Sequence, residues 1–343
     1  GSGFRRFLYN FNSWLKLKEI IEKYRIDLID TSVTFAEGFF PSLSKRVPLI
    51  LQTFAFSEMF LETKSYGSLF EYISFKLSAL MEDFSLRRAD KIIANSPQTY
   101  DYLVKRKRIP ERKIVLILEA RIDFERFRYT PSSIRQRWSI PDDVPLILFI
   151  GWLQARKGLH ILCEVIPKVL KVFPNAVFLL LGRDTCTAPG GGSFKQYIEN
   201  EAMKKGFSQN LRLVDEFLPD DDIVKLYSTC DLFVSPSLYE TFGWPVIEAL
   251  ACERPVVATA TGIVTELEGL SPMLIIVPPG DVSALSWAII TILSTPKEES
   301  KKATKALRRI VERKFSFKQM VDQILNLYEE VINNFYLSQN KFT

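Results

Sequence analysis

Short apolar runs alternate with helix-patterned stretches along most of the chain, which predicts buried strands separated by helices. The region from about Ser57 to Arg88 is rich in Phe, Leu, Lys and Glu, and its pattern predicts mostly helix. Strands that alternate with helices are typical of parallel sheets covered on both faces, so the predicted fold class is α/β. The strand-like runs are IDLIDTS, PLILQTFAF, KIIANS and KIVLIL, then VPLILFIG, NAVFLLLG, NLRLVDE, DLFVSP, RPVVAT and MLIIVP.

The length of the chain, 343 residues with 47% hydrophobic positions, predicts two domains with separate cores. A polar stretch with three prolines between Tyr129 and Pro145 predicts an interdomain linker. The predicted organisation is an N-terminal domain over 4–128, the linker over 129–145, a C-terminal domain over 146–315, and a helix over 316–343 that closes back towards the N-terminal domain.

Composition narrows the class of function. The net charge of +5 and the pI near 8.8 are too mild for a dedicated nucleic-acid binder, so no nucleic-acid partner is expected. The four cysteines are widely separated without metal-ligand spacing, which favours a reducing, cytoplasmic compartment and no metal site. The single histidine, His160, is expected to be an ordinary helix-face residue.

Polar loops follow four of the predicted strands in the C-terminal domain. Ligands bind beyond the carboxyl ends of strands in open α/β sheets. This domain, rather than the N-terminal one, is therefore predicted to bind a nucleotide. In the first loop, Arg156 and Lys157 precede a helix pattern, where cations suit a phosphate or diphosphate; a solvated basic turn is the alternative. The four loops are GWLQARKG (151–158), GRDTCTAPGGGS (182–193), SLYETFG (237–243) and ATATG (258–262).

The second of these loops contains three consecutive glycines, Gly190 to Gly192, before a helix pattern capped by Ser193. Backbone amides in such a loop can cradle a phosphate. A surface loop that caps the next helix is the favoured interpretation.

Two carboxylates, Glu240 and Glu248, stand eight positions apart around a glycine-bearing turn at a strand's end. Glycine lets a sugar or phosphate approach the backbone closely, and a carboxylate accepts hydrogen bonds from sugar hydroxyls, including both hydroxyls of a ribose. Eight residues are just over two helical turns, so both side chains are expected near the same side, with Glu248 deeper. A helix-capping acid plus a solvated acid is the alternative.

This stretch resembles the Glu-x7-Glu signature of the retaining glycosyltransferases of family 4, which have the GT-B fold of two Rossmann-like domains. RADKIIANS, ERPVVATATG and FSFKQMVDQILNLYEEVI extend the resemblance over nearly the whole chain. It implies that Glu240 contacts the donor sugar, that Glu248 binds the ribose, and that Lys157 binds the diphosphate and acts with Glu240 in catalysis. The other implied donor-site positions are Gly151, Arg156, Phe242, Gly243 and Trp244, with weaker candidates at Gly182, Arg183, Gly262 and Glu266.

The resemblance implies transfer of a hexosyl group, with retention, from a UDP-, GDP- or ADP-sugar to a hydroxyl of a glycan, lipid-linked or small-molecule acceptor. The family requires no metal ion and no other cofactor. Two alternatives remain open: a non-catalytic subunit or scaffold that binds a nucleotide-sugar, and, less favoured, a nucleotide-sugar epimerase on the same fold.

The sequence departs from the family pattern at several positions. Trp152 stands where the family usually has arginine, Phe54 where it often has histidine, and Glu119-Ala120-Arg121 where it has asparagine-glycine. The family's first strand and glycine-rich loop should precede FRRFLYN, so the N-terminal domain is expected to be incomplete. Aromatic and basic residues in FRRFLYNFNSWLKLK and GSLFEYISFKLSALMEDFSLRR suggest contact with the cytoplasmic face of a membrane, although residues at such spacing are more often core.

Overall fold

The computed structural model describes residues 2–44, 46–62 and 68–339. The chain divides into two compact units, one of Gly1–Ala120 with Phe317–Thr343 and the other of Arg121–Ser316. Residues 129–145, the predicted linker, belong to the second unit. Each unit is built around one sheet in which all described strand pairs are parallel, so the predicted α/β class is confirmed.

The first unit carries a sheet of order β1-β2-β3-β4. The region predicted as helical, 57–88, forms two helices, and residues 63–67 lie outside the described part. Strands and helices follow one another as α1 (Ser2–Tyr24), β1 (Ile29–Ser32), a 3-10 turn (Thr34–Ala36), α2 (Phe39–Ser42), β2 (Leu49–Thr53), α3 (Ser57–Glu62), α4 (Leu69–Arg88), β3 (Lys91–Ala94), α5 (Pro97–Asp101) and β4 (Ile114–Leu116).

The second unit carries a sheet of order β10-β9-β8-β5-β6-β7. Its elements are β5 (Leu146–Ile150), α6 (Leu159–Leu170), β6 (Val177–Leu181), α7 (Phe194–Lys205), β7 (Leu211–Val214), α8 (Asp220–Thr229), β8 (Leu232–Ser235), α9 (Trp244–Ala251), β9 (Val256–Thr259), β10 (Leu274–Val277), α10 (Val282–Ser294) and α11 (Lys297–Lys314). On one side of the sheet β5 is followed by β6 and then β7, and on the other side β8 is followed by β9 and then β10. The switch point of the sheet therefore lies between β5 and β8, where doubly wound sheets form their ligand crevice.

The last helix, α12 (Phe317–Gln339), packs within the first unit. The Tyr328 hydroxyl donates a hydrogen bond to Asp30 of β1, and Glu330 pairs with Lys91 of β3 at 3.1 Å. Among the described helices, none is both long and apolar enough to cross a bilayer.

Candidate functional site

The loops after β5 and β8 are in direct contact at the switch point. The N–H of Leu238 donates to the carbonyl of Arg156 at 2.8 Å. Gly158 has a φ of +68°, and a Cβ at this position would lie 1.9 Å from the carbonyl oxygen of Pro236. Only glycine permits this approach, so the sequence of the first loop fixes how closely the two loops pack.

Glu240 lies at the centre of this contact and is 6% exposed. Its carboxylate accepts hydrogen bonds from the Nζ of Lys157, from the Nη1 of Arg156 at 3.0 Å, and from the Ser237 hydroxyl at 2.8 Å. Arg156 also donates to the carbonyl of Tyr239 at 2.8 Å. The three predicted residues Arg156, Lys157 and Glu240 therefore form one buried ion-paired cluster.

The electrostatics of this cluster favour the charged carboxylate. Burial alone would raise the pKa of Glu240, but the charges of Lys157 and Arg156, with hydrogen bonds from Lys157 and Ser237, lower that pKa to about 2. The site therefore holds a charged carboxylate that is nearly shielded from water and is paired with a buried lysine and a partly exposed arginine.

The loop after β9 completes the cluster. The N–H of Ile263 donates to the carbonyl of Phe242 at 2.8 Å. Gly262, with a φ of +59°, sits so close that a Cβ there would meet the Phe242 carbonyl oxygen at 2.3 Å and the Glu240 Cβ at 3.0 Å. Gly262 is thus a packing position behind the carboxylate-bearing turn.

Glu248 occupies a separate position on α9. Its Oε2 accepts a hydrogen bond from the Tyr227 hydroxyl of α8 at 2.8 Å, and burial raises the pKa of Glu248. α9 begins at Trp244, so Glu240 lies in the turn before the helix and Glu248 lies within it, as the sequence predicts. Gly243, in the left-handed region, separates the Glu240 turn from the helix, so helical spacing does not relate the two carboxylates.

Two aromatic residues flank the start of α9. The ring of Phe242 is 2% exposed and lies 4.6 Å, centroid to centroid, from the ring of Trp244. Phe242 also contacts Phe315 edge-on at 5.9 Å. Phe242 is thus a core residue, and its side chain does not reach a ligand in this turn.

The weaker candidates lie at the edge of the cluster. A Cβ on Gly182 would meet the Gly151 carbonyl oxygen at 1.8 Å, so these two glycines allow the first and second loops to pack together. Arg183 is exposed and pairs with Asp215 at 3.6 Å. Glu266 is exposed too, with its carboxylate 3.8 Å from the Nζ of Lys314. Neither charged side chain touches the Glu240 cluster in the structure.

The three-glycine loop behaves as the favoured interpretation expects. Gly190, Gly191 and Gly192 are exposed, and the Ser193 hydroxyl caps α7 by accepting from the N–H of Gln196 at 3.0 Å. The prediction of a capping role for Ser193 is confirmed.

His160, in the first turn of α6, is half-buried and its burial lowers its pKa, in agreement with a helix-face residue.

The structure adds two residues that sequence reasoning missed. Ser237 stands three positions before Glu240 in the same turn, so its proximity was readable from the sequence. Tyr227 carried no such signal, since it reaches Glu248 from another helix. Across residues 2–44, 46–62 and 68–339, no group of three or more His, Cys, Asp or Glu side chains is arranged to hold a metal ion.

Comparison with known proteins identifies the family. The family model for glycosyl transferases group 1 matches residues 132–309, slightly more than half of the chain, and the model for Glycosyltransferase Family 4 matches residues 1–119. The chain belongs to the group 1 glycosyl transferases. The predicted membership of glycosyltransferase family 4 is confirmed by these matches.

Individual relatives of this glycosyltransferase are distant. It is 27% identical over 197 residues to an uncharacterized glycosyltransferase of Methanocaldococcus jannaschii, covering 57% of this chain and 48% of the relative. It is 23% identical over 304 residues to the alpha-D-kanosaminyltransferase of Streptomyces kanamyceticus, covering 86% of this chain and 75% of the relative. The chain thus spans about half to three quarters of the length of these curated relatives.

Solved structures support the predicted fold. The Anabaena protein HepE, in complex with UDP-glucose, superimposes with a TM-score of 0.75 at 19% identity, covering 92% of this chain and 82% of that one. The two parallel-sheet units of the glycosyltransferase are those of the GT-B fold, as predicted.

Proposed function

We propose that this glycosyltransferase moves a hexosyl group from a nucleoside-diphosphate sugar to an acceptor hydroxyl, with retention and without a metal ion. The observation that carries this proposal is the buried Glu240 carboxylate held by Lys157 and Arg156 at the switch point. Cations suit a diphosphate and a carboxylate suits sugar hydroxyls, so both sides of the donor's reactive bond meet complementary groups. The UDP-glucose in the Anabaena structure makes that sugar nucleotide the first donor to test.

In the proposed reaction, the bond between the anomeric carbon and the diphosphate oxygen breaks while the acceptor oxygen bonds to that carbon on the same face. Lys157 and Arg156 stabilise the charge that develops on the leaving diphosphate. The departing phosphate oxygen takes the acceptor's proton, so the step requires no histidine. Because the diphosphate competes with Glu240 for the same two cations, donor binding is expected to release the carboxylate towards the sugar hydroxyls.

Glu248 is proposed to bind the ribose of the donor. Tyr227 donates to Oε2 and so fixes the orientation of the carboxylate. The second carboxylate oxygen then accepts a hydrogen bond from a ribose hydroxyl. The backbone of Gly243 and Trp244 is proposed to lie against the sugar or the diphosphate, and a glycan, a lipid-linked molecule or a small molecule is the proposed acceptor.

A non-catalytic subunit that binds a nucleotide-sugar is the second candidate. Trp152 supports it, since this side chain is 60% exposed at the position where the family usually has a diphosphate-binding arginine. Donor hydrolysis in the presence of the protein separates the two candidates, because a binding subunit leaves the donor intact. A cytoplasmic location is proposed for either one, in keeping with four free cysteines.

Thermal unfolding with UDP, GDP and ADP tests the donor site. One of the three diphosphates is expected to raise the melting temperature, and Lys157→Ala should remove most of that shift, because the variant lacks a cation for the diphosphate. Lys204→Ala is the matched control, since Lys204 is an exposed lysine of α7 in the same unit. An undiminished shift in Lys157→Ala would exclude Lys157 from the site.

A further inference from the structure

An apolar groove of about 340 Å³ lies in the first unit between α1, the Thr34–Ala36 turn and α4. Its volume is at the lower end of the range for small-molecule sites. Among the described residues that line it, Arg6 is the only charged one, and the floor and walls are largely hydrocarbon. The main apolar contributors are Phe7, Phe35, Phe70, Ile73, Leu77 and Met81.

Apolar side chains that line the groove are themselves exposed to solvent. On α4, Phe70 is 50% exposed, Ile73 is 55% exposed and Leu77 is 53% exposed. Exposed apolar side chains that stand singly are ordinary, but several that line one groove mark an interaction site.

Part of the groove lining comes from the turn that follows β1. The turn that follows this strand holds Phe35 and Ala36 at φ values of +53° and +61°, a left-handed conformation that is unfavourable for both residue types. The Asn10 side-chain amide of α1 donates to the Phe35 carbonyl at 3.1 Å and holds the turn in place. The strained turn thus presents the Phe35 ring at the edge of the sheet where α/β folds bind ligands.

One charged side chain stands in the apolar lining of the groove. The guanidinium of Arg6 lies 4.0 Å from the centroid of the Phe35 ring, and both residues line the groove. Arg5 adds a second positive charge to the same turn of α1, and the described part of that helix carries no acidic residue before Glu19. An apolar groove with a cation in its lining complements a molecule that has a hydrocarbon chain and an anionic head.

We propose that this groove binds the hydrocarbon chain of an anionic, lipid-linked acceptor, with Arg6 at its phosphate group. The inference rests on the proposed glycosyltransferase function and names the substrate class of its acceptor. An apolar lining offers few hydrogen-bond partners to a free sugar, whereas it stabilises each methylene that leaves water. The reacting hydroxyl would lie beyond the phosphate, outside the groove.

Calorimetric titration with octyl, decyl and dodecyl phosphate, each below its critical micelle concentration, tests the groove directly. Each added methylene should tighten binding about two- to fourfold until the groove is filled. Inorganic phosphate should not bind measurably, and decyl glucoside should bind more weakly than decyl phosphate because it has no charge for Arg6. An affinity that does not depend on chain length would overturn the proposal.

Two variants separate groove binding from other causes. Leu77→Asp places a charge in the groove, and Ser74→Phe fills the groove without adding a charge. Each substitution should lower the affinity for decyl phosphate at least tenfold. Met203→Asp, at a side chain 66% exposed on α7, is the matched control and should leave the affinity unchanged. Circular dichroism shows which of the two groove variants folds, and unaltered decyl phosphate binding in a folded one would refute the assignment.

Size-exclusion chromatography with light scattering tests the main competing occupant. A dimer that Leu77→Asp converts to a monomer would assign this face to a second copy of the chain instead. None of these measurements needs a sugar donor. Alkyl phosphate binding without UDP, GDP or ADP binding would therefore reject only the donor-site proposal, and the opposite result would reject only the groove.

Discussion

Replacing Glu240 by glutamine should destabilise the second unit strongly, because it removes the only charge of the carboxylate while keeping its size. The buried Lys157 ammonium then loses its anionic partner. The difference between the ordinary carboxyl pKa of 4.5 and the pKa of about 2 for Glu240 corresponds to about 3 kcal/mol at neutral pH. Loss of one partner from a buried ion pair costs about 3–5 kcal/mol, so the two estimates agree.

The same substitution should change how stability depends on pH. A carboxyl group whose pKa is lowered by folding stabilises the native state above its ordinary pKa, and that stabilisation is lost as the pH falls from about 4.5 to about 2. The gap in unfolding free energy between the wild type and Glu240→Gln is therefore largest at pH 7. At pH 4 it should be smaller by roughly 1 kcal/mol, since the unfolded-state carboxyl is then mostly protonated.

Urea unfolding followed by tryptophan fluorescence measures this gap in the full chain. Four of the five tryptophans lie in the second unit, so the signal reports mainly on the unit that contains Glu240. Glu266→Gln, an exposed carboxylate of the same unit, is the matched control and should change stability by less than about 0.5 kcal/mol. A loss below about 1 kcal/mol at pH 7, or a gap that does not shrink at pH 4, would refute the assigned ion pairing.

Three further predictions concern the donor, the loop packing and the thiols. Calorimetry should give undiminished or tighter affinity for the stabilising nucleoside diphosphate in Glu240→Gln, because the substitution removes the anion that competes for the two cations. Glu248→Gln should bind the same diphosphate about ten- to hundredfold more weakly, and the opposite pattern would reverse the two assignments. Gly158→Ala should lower the free energy of unfolding in urea by more than about 2 kcal/mol, because the added Cβ would meet backbone atoms. Gly191→Ala, which is also at positive φ but in open space, should lower it by about 1 kcal/mol. Native protein should react rapidly with a thiol reagent only at Cys186. The other three cysteines are buried, and burial raises the pKa of each thiol to about 12. An absorbance assay that counts the rapidly reacting thiols should give one per chain.

The local pattern of apolar and polar residues was enough to predict the strands and helices and part of the candidate site. The α/β class follows from apolar runs such as Leu146–Ile150 and Val177–Leu181, because strands covered on both faces need apolar side chains on both faces. The cap at Ser193 follows from its own hydroxyl and the next turn of backbone. Arg156, Lys157 and Glu240 could be selected because each stands at the end of such a strand.

The pairing of these residues was decided by tertiary structure. Lys157 and Glu240 are 83 positions apart, and they meet because β8 lies beside β5, whereas β6 follows β5 in the sequence. Arg183 also stands in a loop that follows a strand, but it is exposed and pairs with Asp215 instead. Strand order depends on how all helices and strands pack together, and no short stretch of sequence encodes it. For that reason the sequence could supply the cations and the carboxylate, while only the folded sheet could make them neighbours.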